Sequence, residues 1–293
     1  MWQVKELSGH IGAEVTGLSL SNVSTGDIDK IKKLLHEHLV LFFPEQGLDQ
    51  KSHVSLGQHF GELEGHPNLG VPYPDHPEIF ELIATTGGVA DEWHTDITFQ
   101  NKPAKMSILN MMKTPKVGGD TMWSSLYAAY DELSEPMKAL CENLTALHDA
   151  LPHNKPEIMA VHPVVRIHPV TKRKALFVNE HFTRRIVELN ASESNALLPF
   201  LTNWVSNPRF TVRYSWTKGT ICMWDNRCTQ HFVLNDFSGE RIIQRVTIMG
   251  DEVEGCNEQK WEPWVRPGRL SATSRHDRQL YLYMNAKAEK PLA

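Results

Sequence analysis

Between residues 210 and 249 the chain twice alternates apolar and polar side chains with a period of two. Phe210, Val212, Tyr214 and Trp216 form the first ladder, and the run from Arg241 to Met249 forms the second. That period belongs to a half-buried strand, because successive side chains leave opposite faces of an extended backbone. Between the two, Thr220-Ile221-Cys222-Met223-Trp224 is introduced by Lys218-Gly219, which reads as a hairpin turn into a further strand. Helices are predicted outside this strand-rich half. Ile28, Ile31, Leu34, Leu35 and Leu39 predict an amphipathic helix over 26–39. The apolar run Val40-Leu41-Phe42-Phe43 then reads as a buried strand ending at Pro44. Asp49 is placed to cap a second helix to about Phe60. Ser134-Glu135-Pro136 opens a third, and a fourth runs from near Ser192 to just before Pro208. Short strands, turn signals and outlying helices predict a mainly β fold, a sandwich or jelly roll with helical insertions. No G-x-G-x-x-G or G-x-x-x-x-G-K-[ST] occurs, so a nucleotide-binding α/β fold is not expected.

Composition narrows the function classes. Among 293 residues, 30 Lys and Arg face 35 Asp and Glu, a net charge of −5, so no basic face for nucleic acid is expected. No apolar run approaches the ~20 residues of a membrane span. No secretory signal is expected from the opening residues, and none of the four cysteines forms a C-x-x-C pair. A reducing cytoplasm is the expected location. No repeat or linker divides the chain. Residues 1–252 are expected to form one domain, with 253–293 as an extension packed on its surface and available for a homo-oligomer interface.

Fifteen histidines make any single one a poor clue. His36, His38, His53, His59 and His276 read as surface or core residues, and His162 and His168, in their His-Pro pairs, as structural. Trp93-His94-Thr95-Asp96 is different: on a strand, His94 and Asp96 would point to one face and offer a nitrogen and a carboxylate to one ion. His231, at the end of Trp224 to His231, can supply a third ligand. Two histidines and one carboxylate leave the opposite positions open, the arrangement of non-heme iron(II) oxygenases. On the last strand Arg241 and Arg245 share a face. As buried guanidiniums they need anionic partners, either ion pairs within the protein or an anionic ligand that suits arginine's bidentate fork.

Together these segments resemble the taurine dioxygenase family of iron(II)/2-oxoglutarate-dependent dioxygenases. Gly118-Gly119-Asp120-Thr121-Met122-Trp123, His162-Pro163-Val164-Val165-Arg166, Ala175-Leu176-Phe177-Val178-Asn179-Glu180 and the opening Leu7 to Leu18 also match, in the same order over residues 1–252. The resemblance implies a double-stranded β-helix, the jelly roll with helices around it. It implies His94, Asp96 and His231 as ligands of Fe(2+), Thr121 and Arg241 as the binders of 2-oxoglutarate, and O2 as second co-substrate. Arg245 and His66 match positions that hold the substrate's anionic head, while Leu69, Ala90, Ile97 and Phe182 fall at pocket positions. No catalytic residue beyond the metal ligands is implied. The pocket departs from taurine-specific members: Leu69 replaces a tyrosine, Ala90 an asparagine and Ala150 a phenylalanine, and a nearby insertion is short. The implied reaction is hydroxylation of a small anionic sulfonate, sulfate or carboxylate, with release of succinate and CO2. The alternatives are a taurine dioxygenase itself and a non-redox, cupin-like metal-binding protein. The Thr121 and Arg241 pair speaks against the latter, which has no use for it.

Overall fold

The computed structural model describes residues 2–65, 72–84, 90–265 and 275–288. The chain opens with β1 (Gln3–Glu6), β2 (Ala13–Thr16), α1 (Thr25–His38), β3 (Val40–Phe43), α2 (Gln50–Gln58), β4 (Leu63–Glu64), β5 (Ile79–Ile83), β6 (Met106–Lys113) and β7 (Thr121–Ser125). Then come α3 (Leu126–Asp131), α4 (Glu135–Cys141), β8 (Thr145–Ala150), β9 (Lys155–Pro163), β10 (Val165–Ile167), β11 (Lys174–Leu176), β12 (Thr183–Ile186) and α5 (Ala191–Val205). The last part holds β13 (Thr211–Tyr214), β14 (Ile221–Asp225), β15 (Thr229–Val233), β16 (Ile242–Ile248), β17 (Glu254–Gly255) and α6 (Arg275–Ala288). Two compact units result, and the chain passes between them repeatedly: Met1–Thr95, Ala104–Ser125 and Ser206–Asp251 form one, and Asp96–Pro103, Leu126–Val205 and Glu252–Ala293 the other.

The first unit is the jelly roll. Its larger sheet has eight strands in the order β1-β2-β3-β14-β6-β16-β4, with β5 also paired to β16. Its smaller sheet is β13-β7-β15. Phe42 of β3 stacks on Tyr214 of β13 with ring centroids 3.8 Å apart, and Trp123 of β7 meets Phe42 and Trp224 edge-on. Aromatic rings from both sheets therefore fill the space between them, as a sandwich core requires. On the other face of the large sheet, Ile108, Val246 and Ile248 pack with Ile28, Ile31 and Leu35 of α1 and Val54 and Leu56 of α2. Local signals fixed these helices: the Ser24 hydroxyl accepts from the Asp27 N–H in a capping box, and the Asp49 carboxylate accepts from the Ser52 N–H.

One local expectation fails. The strands flanking Lys218-Gly219 are not a hairpin, since β13 pairs with β7 whereas β14 pairs with β3 and β6. The turn instead carries the chain from one sheet to the other. Gly219, at φ +81°, donates to Met111 O and accepts from Gln46 and Gly47, contacts that fix the crossing through neighbours remote in sequence.

The second unit holds two three-stranded sheets, β12-β8-β9 and β11-β10-β17. The β10–β11 pairing sets Arg166 opposite Ala175 and brings the guanidinium of Arg166 to 4.7 Å from the Phe177 ring. Two of the motif segments are thus joined. The weakly periodic end of the chain forms α6, a helix that its pattern did not announce, with Leu280 buried against Leu147 and Val187. A Leu280→Ala substitution should lower the unfolding free energy by about 2–3 kcal/mol. An unchanged urea midpoint would show that the helix contributes nothing to stability.

Three fully buried histidines make stability fall in acid. Burial pulls His53 down to about 4 and His162 to about 4, and His148 well below the ordinary imidazole value. The unfolded chain takes up these protons near pH 6.5, whereas the native protein refuses them, so the unfolded state binds more protons. Stability is therefore full above about pH 6.5 and declines as pH drops toward 4, by roughly 2 kcal/mol at pH 5 for each of His53 and His162, with His148 acting in the same direction. Urea unfolding at pH 7.5 and pH 5 should show the drop; equal midpoints would contradict it.

Candidate metal centre

His231 lies on β15, and His94 lies beside it in an isolated antiparallel bridge. The two residues exchange both backbone hydrogen bonds, His94 N to His231 O at 3.1 Å and His231 N to His94 O at 2.8 Å. Their rings stand side by side with centroids 4.0 Å apart. Trp224 and Trp123 face the His231 ring at 5.0 and 6.4 Å. The expected regular strand through 94–96 is absent: past His94 the backbone enters a turn closed by Gln100 N to Ile97 O at 3.1 Å. Ile97 takes φ +48° there, a left-handed conformation that opposes a β-branched side chain and costs roughly 1–3 kcal/mol.

One potential ligand atom from each of His94, Asp96 and His231 lies within 4.8 Å of the others, and all three residues are buried. The His94 Nδ1–H donates to the Glu92 carbonyl at 2.7 Å. That bond selects the tautomer with the proton on Nδ1, in which Nε2 carries the lone pair that can be offered to a cation. The Thr95 hydroxyl donates to Thr229 O at 2.8 Å and ties this segment to the start of β15. Two imidazoles and one carboxylate, buried and converging, suit a divalent transition metal and leave positions for other ligands.

Arg241 stands just before β16 and is 2% exposed. Its Nε donates to Gly119 O at 2.9 Å and its Nη2 to Thr121 Oγ1 at 3.1 Å. Gly119 has φ +72°, and an added Cβ would come within 2.9 Å of Pro115 and 3.2 Å of the Arg241 stem. Only glycine lets the arginine pass this close. Burial pulls the guanidinium down to about 10, partly offset by the charge of Asp120. Asp120 itself receives Arg213 and Ser215. The cation of Arg241 therefore has hydroxyl and carbonyl partners, and no carboxylate within ion-pair distance among the described residues.

Trp216 was singled out in the sequence only as part of an alternation. Its indole N–H donates to Thr121 Oγ1 at 2.9 Å. With donors from Trp216 and Arg241 both received by that oxygen, the Thr121 hydroxyl proton remains available to a further acceptor. The ladder of Phe210, Val212, Tyr214 and Trp216 was the available signal, since it places Trp216 on the buried face.

Among the positions matched to a substrate pocket, Arg245 is 8% exposed with its guanidinium 5.2 Å from the Phe80 ring. Ala90 is half-buried and its carbonyl accepts from Val233 N, at the end of β15. In the second unit Ile97 and Phe182 are buried, and Phe182 meets Phe99 edge-on at 5.2 Å. Ala150 ends β8 fully buried. His66 and Leu69 lie outside the described residues.

Residues 3–247 match the family model described as taurine catabolism dioxygenase TauD, TfdA family. An alkylsulfatase of Acinetobacter baylyi is 34% identical, the match spanning 97% of this chain and 96% of that protein. An alpha-ketoglutarate-dependent sulfate ester dioxygenase of Pseudomonas putida is 35% identical over 93% of this chain and 94% of that one. Among solved structures, a taurine dioxygenase from Burkholderia xenovorans superimposes with TM-score 0.79 at 34% identity, covering 90% of this chain and 96% of that one.

Proposed function

The chain belongs to the taurine catabolism dioxygenase TauD, TfdA family, and on that premise we propose that it hydroxylates small sulfate esters at an iron(II) centre held by His94, Asp96 and His231. It is a 2-oxoglutarate-dependent dioxygenase, an oxidoreductase with a jelly-roll fold that acts on a small anionic substrate. The observation that carries the choice of site is the convergence of His94, Asp96 and His231 within 4.8 Å with all three buried. In the other such set among the described residues, His36, His168 and Asp225, one imidazole is half-buried and the carboxylate is paired with Arg227. When bound, iron(II) would supply the activation of O2, the oxidant, of which one oxygen atom ends in succinate as 2-oxoglutarate loses CO2 and the other in the hydroxylated substrate.

The protein's residues bind and orient. Arg241 takes the distal carboxylate of 2-oxoglutarate in a charge-assisted pair, and the Thr121 proton left free by Trp216 donates to the same group. Arg245, with its guanidinium over Phe80, receives the substrate's anionic head together with His66. Trp123 and Trp224 beside His231 keep water from the reacting centre. Ala90 and Leu69 offer no polar partner for a taurine ammonium, whose burial would go uncompensated. Position 150 carries alanine where taurine-specific members of the family carry phenylalanine. Both features support an alkyl sulfate over taurine. Hydroxylation of the carbon bearing the ester oxygen gives a hemiacetal-like sulfate, which collapses to an aldehyde and inorganic sulfate. We also read residues 1–252 as one functional dioxygenase domain in the cytoplasm, with 253–293 contributing support rather than chemistry.

The test is succinate formation under iron(II), 2-oxoglutarate and O2 with alkyl sulfates, alkyl sulfonates, aryloxy acids and taurine at equal concentration. The highest kcat/KM is expected for an alkyl sulfate. A preference for taurine would overturn the pocket argument while leaving the metal and 2-oxoglutarate sites standing.

A further inference from the structure

Two segments that matched family motifs but play no part in the chemistry above, those of His162 and Asn179, converge with His148 of β8 on one residue of the second unit, Thr98. Its hydroxyl lies 2.9 Å from His148 Nδ1 and accepts from Asn179 Nδ2 at 3.1 Å. Its carbonyl accepts from His162 Nε2 at 2.9 Å, and the same nitrogen reaches Gln100 O at 3.0 Å. The cradle is itself held: Asn179 N donates to Thr183 Oγ1 at 2.9 Å, Phe182 N donates to Asn179 Oδ1 at 2.8 Å, and Thr183 Oγ1 lies 3.2 Å from His148 Nδ1. Thr98, His148, His162, Asn179 and Thr183 are all at most 5% exposed. Both rings are neutral, since burial depresses them. His148 Nδ1 and His162 Nε2 both meet Thr98, while His148 Nε2 is left without a partner among the described residues. The bonds that are made favour one backbone arrangement, because a slip of the turn would strand further buried donors and acceptors.

That backbone is the turn that follows Asp96. Ile97, one residue on, sits in the left-handed region, which a β-branched residue occupies only when its surroundings over-determine it. We propose that the Thr98 cradle, formed by His148, Asn179 and His162, is a positioning device that holds Ile97 in its left-handed conformation and so aims the Asp96 carboxylate at the metal centre. The inference rests on the reading of Asp96 as a ligand. None of the cradle residues touches substrate or the reacting atoms; they act through the turn. The motif histidine His162 and motif asparagine Asn179 thereby acquire a role in metal affinity beyond core packing.

The test uses the metal-free full-length protein, titrated with Mn(II) by calorimetry, with the metal-free Tm of each variant measured alongside. Thr98→Val removes the hydroxyl at nearly constant volume and should weaken Mn(II) binding about 10–100-fold, the range for groups that orient ligands. Thr98→Ser keeps the hydroxyl and should restore wild-type affinity. If Thr98→Val does not fold, His148→Phe, which removes the ring nitrogen from the far side and leaves Thr98 in place, carries the same expectation. Wild-type affinity in the Thr98→Val protein, or in His148→Phe where it stands in, overturns the proposal. So does a loss shared by Thr98→Ser, which would assign the effect to packing. His231→Ala separates this inference from the one beneath it. If wild type binds no Mn(II), or His231→Ala binds it as tightly as wild type, the metal-centre reading fails and the cradle's role fails with it.

Discussion

His231→Ala is expected to form no succinate above background with any substrate, and His94→Ala should behave alike. In the proposed centre each imidazole is one of three protein donors, and two remaining ligands hold a divalent ion poorly against water. Loss of one ligand should weaken metal binding on the order of 10³-fold, about 4 kcal/mol. The fold should survive, because the His94–His231 bridge is made by backbone atoms that alanine retains. The Thr95 to Thr229 bond lies outside the substitution as well. Calorimetric titration with Mn(II) and a succinate assay together decide the matter. Unimpaired turnover in either variant, or full activity after chelation and dialysis of the wild type, would refute the assignment of these ligands. Divalent copper and zinc follow iron in the affinity order, so aerobic purification is expected to yield an inactive form that iron(II) restores after chelation.

Arg241→Ala should raise the apparent KM for 2-oxoglutarate by about 30-fold to several thousand-fold, the equivalent of ~2–5 kcal/mol for a buried charge pair. Burial depresses this guanidinium to about 10, so the free protein loses the cation as pH rises through 10. Since the anion binds the protonated form, 2-oxoglutarate affinity should hold below about pH 9 and fall above it. A bound carboxylate favours the charged form and moves the fall to higher pH in the complex. Thr121→Ala removes one neutral donor and should act in the same direction more mildly. Direct calorimetry of 2-oxoglutarate in the metal-loaded variant checks the claim; unchanged affinity would mean that Arg241 serves the fold and not the co-substrate.

Much of this molecule was legible in its sequence because the deciding forces act within a few residues. Helix spacing and the caps at Ser24 and Asp49 fixed α1 and α2. Period-two alternation identified the strand that became β16, and the His94-x-Asp96 spacing offered two donors, with His231 joined to them by the family resemblance. The same reasoning failed wherever a partner far along the chain chose between local options. Lys218-Gly219 has the residues of a hairpin turn, yet β14 found better pairing with β3 and β6 than with β13. α6 carries little periodicity, and Leu280 packs among residues more than ninety positions away.

For the site, the amino-acid sequence by itself determined which chemical groups are present: two imidazoles, one carboxylate, buried arginines and the glycine that admits one of them. Only the tertiary structure decided how they meet. Trp216 and Arg241 converge on Thr121 across 95 and 120 positions, and Thr95 reaches Thr229 across 134. Asp96 is brought round by a left-handed turn at Ile97, against the intrinsic preference of that residue. Backbone preference is a property of each residue and its neighbours. A strained turn and a shared hydroxyl exist only because distant buried groups would otherwise go without partners, and that penalty is incurred only once the chain has folded.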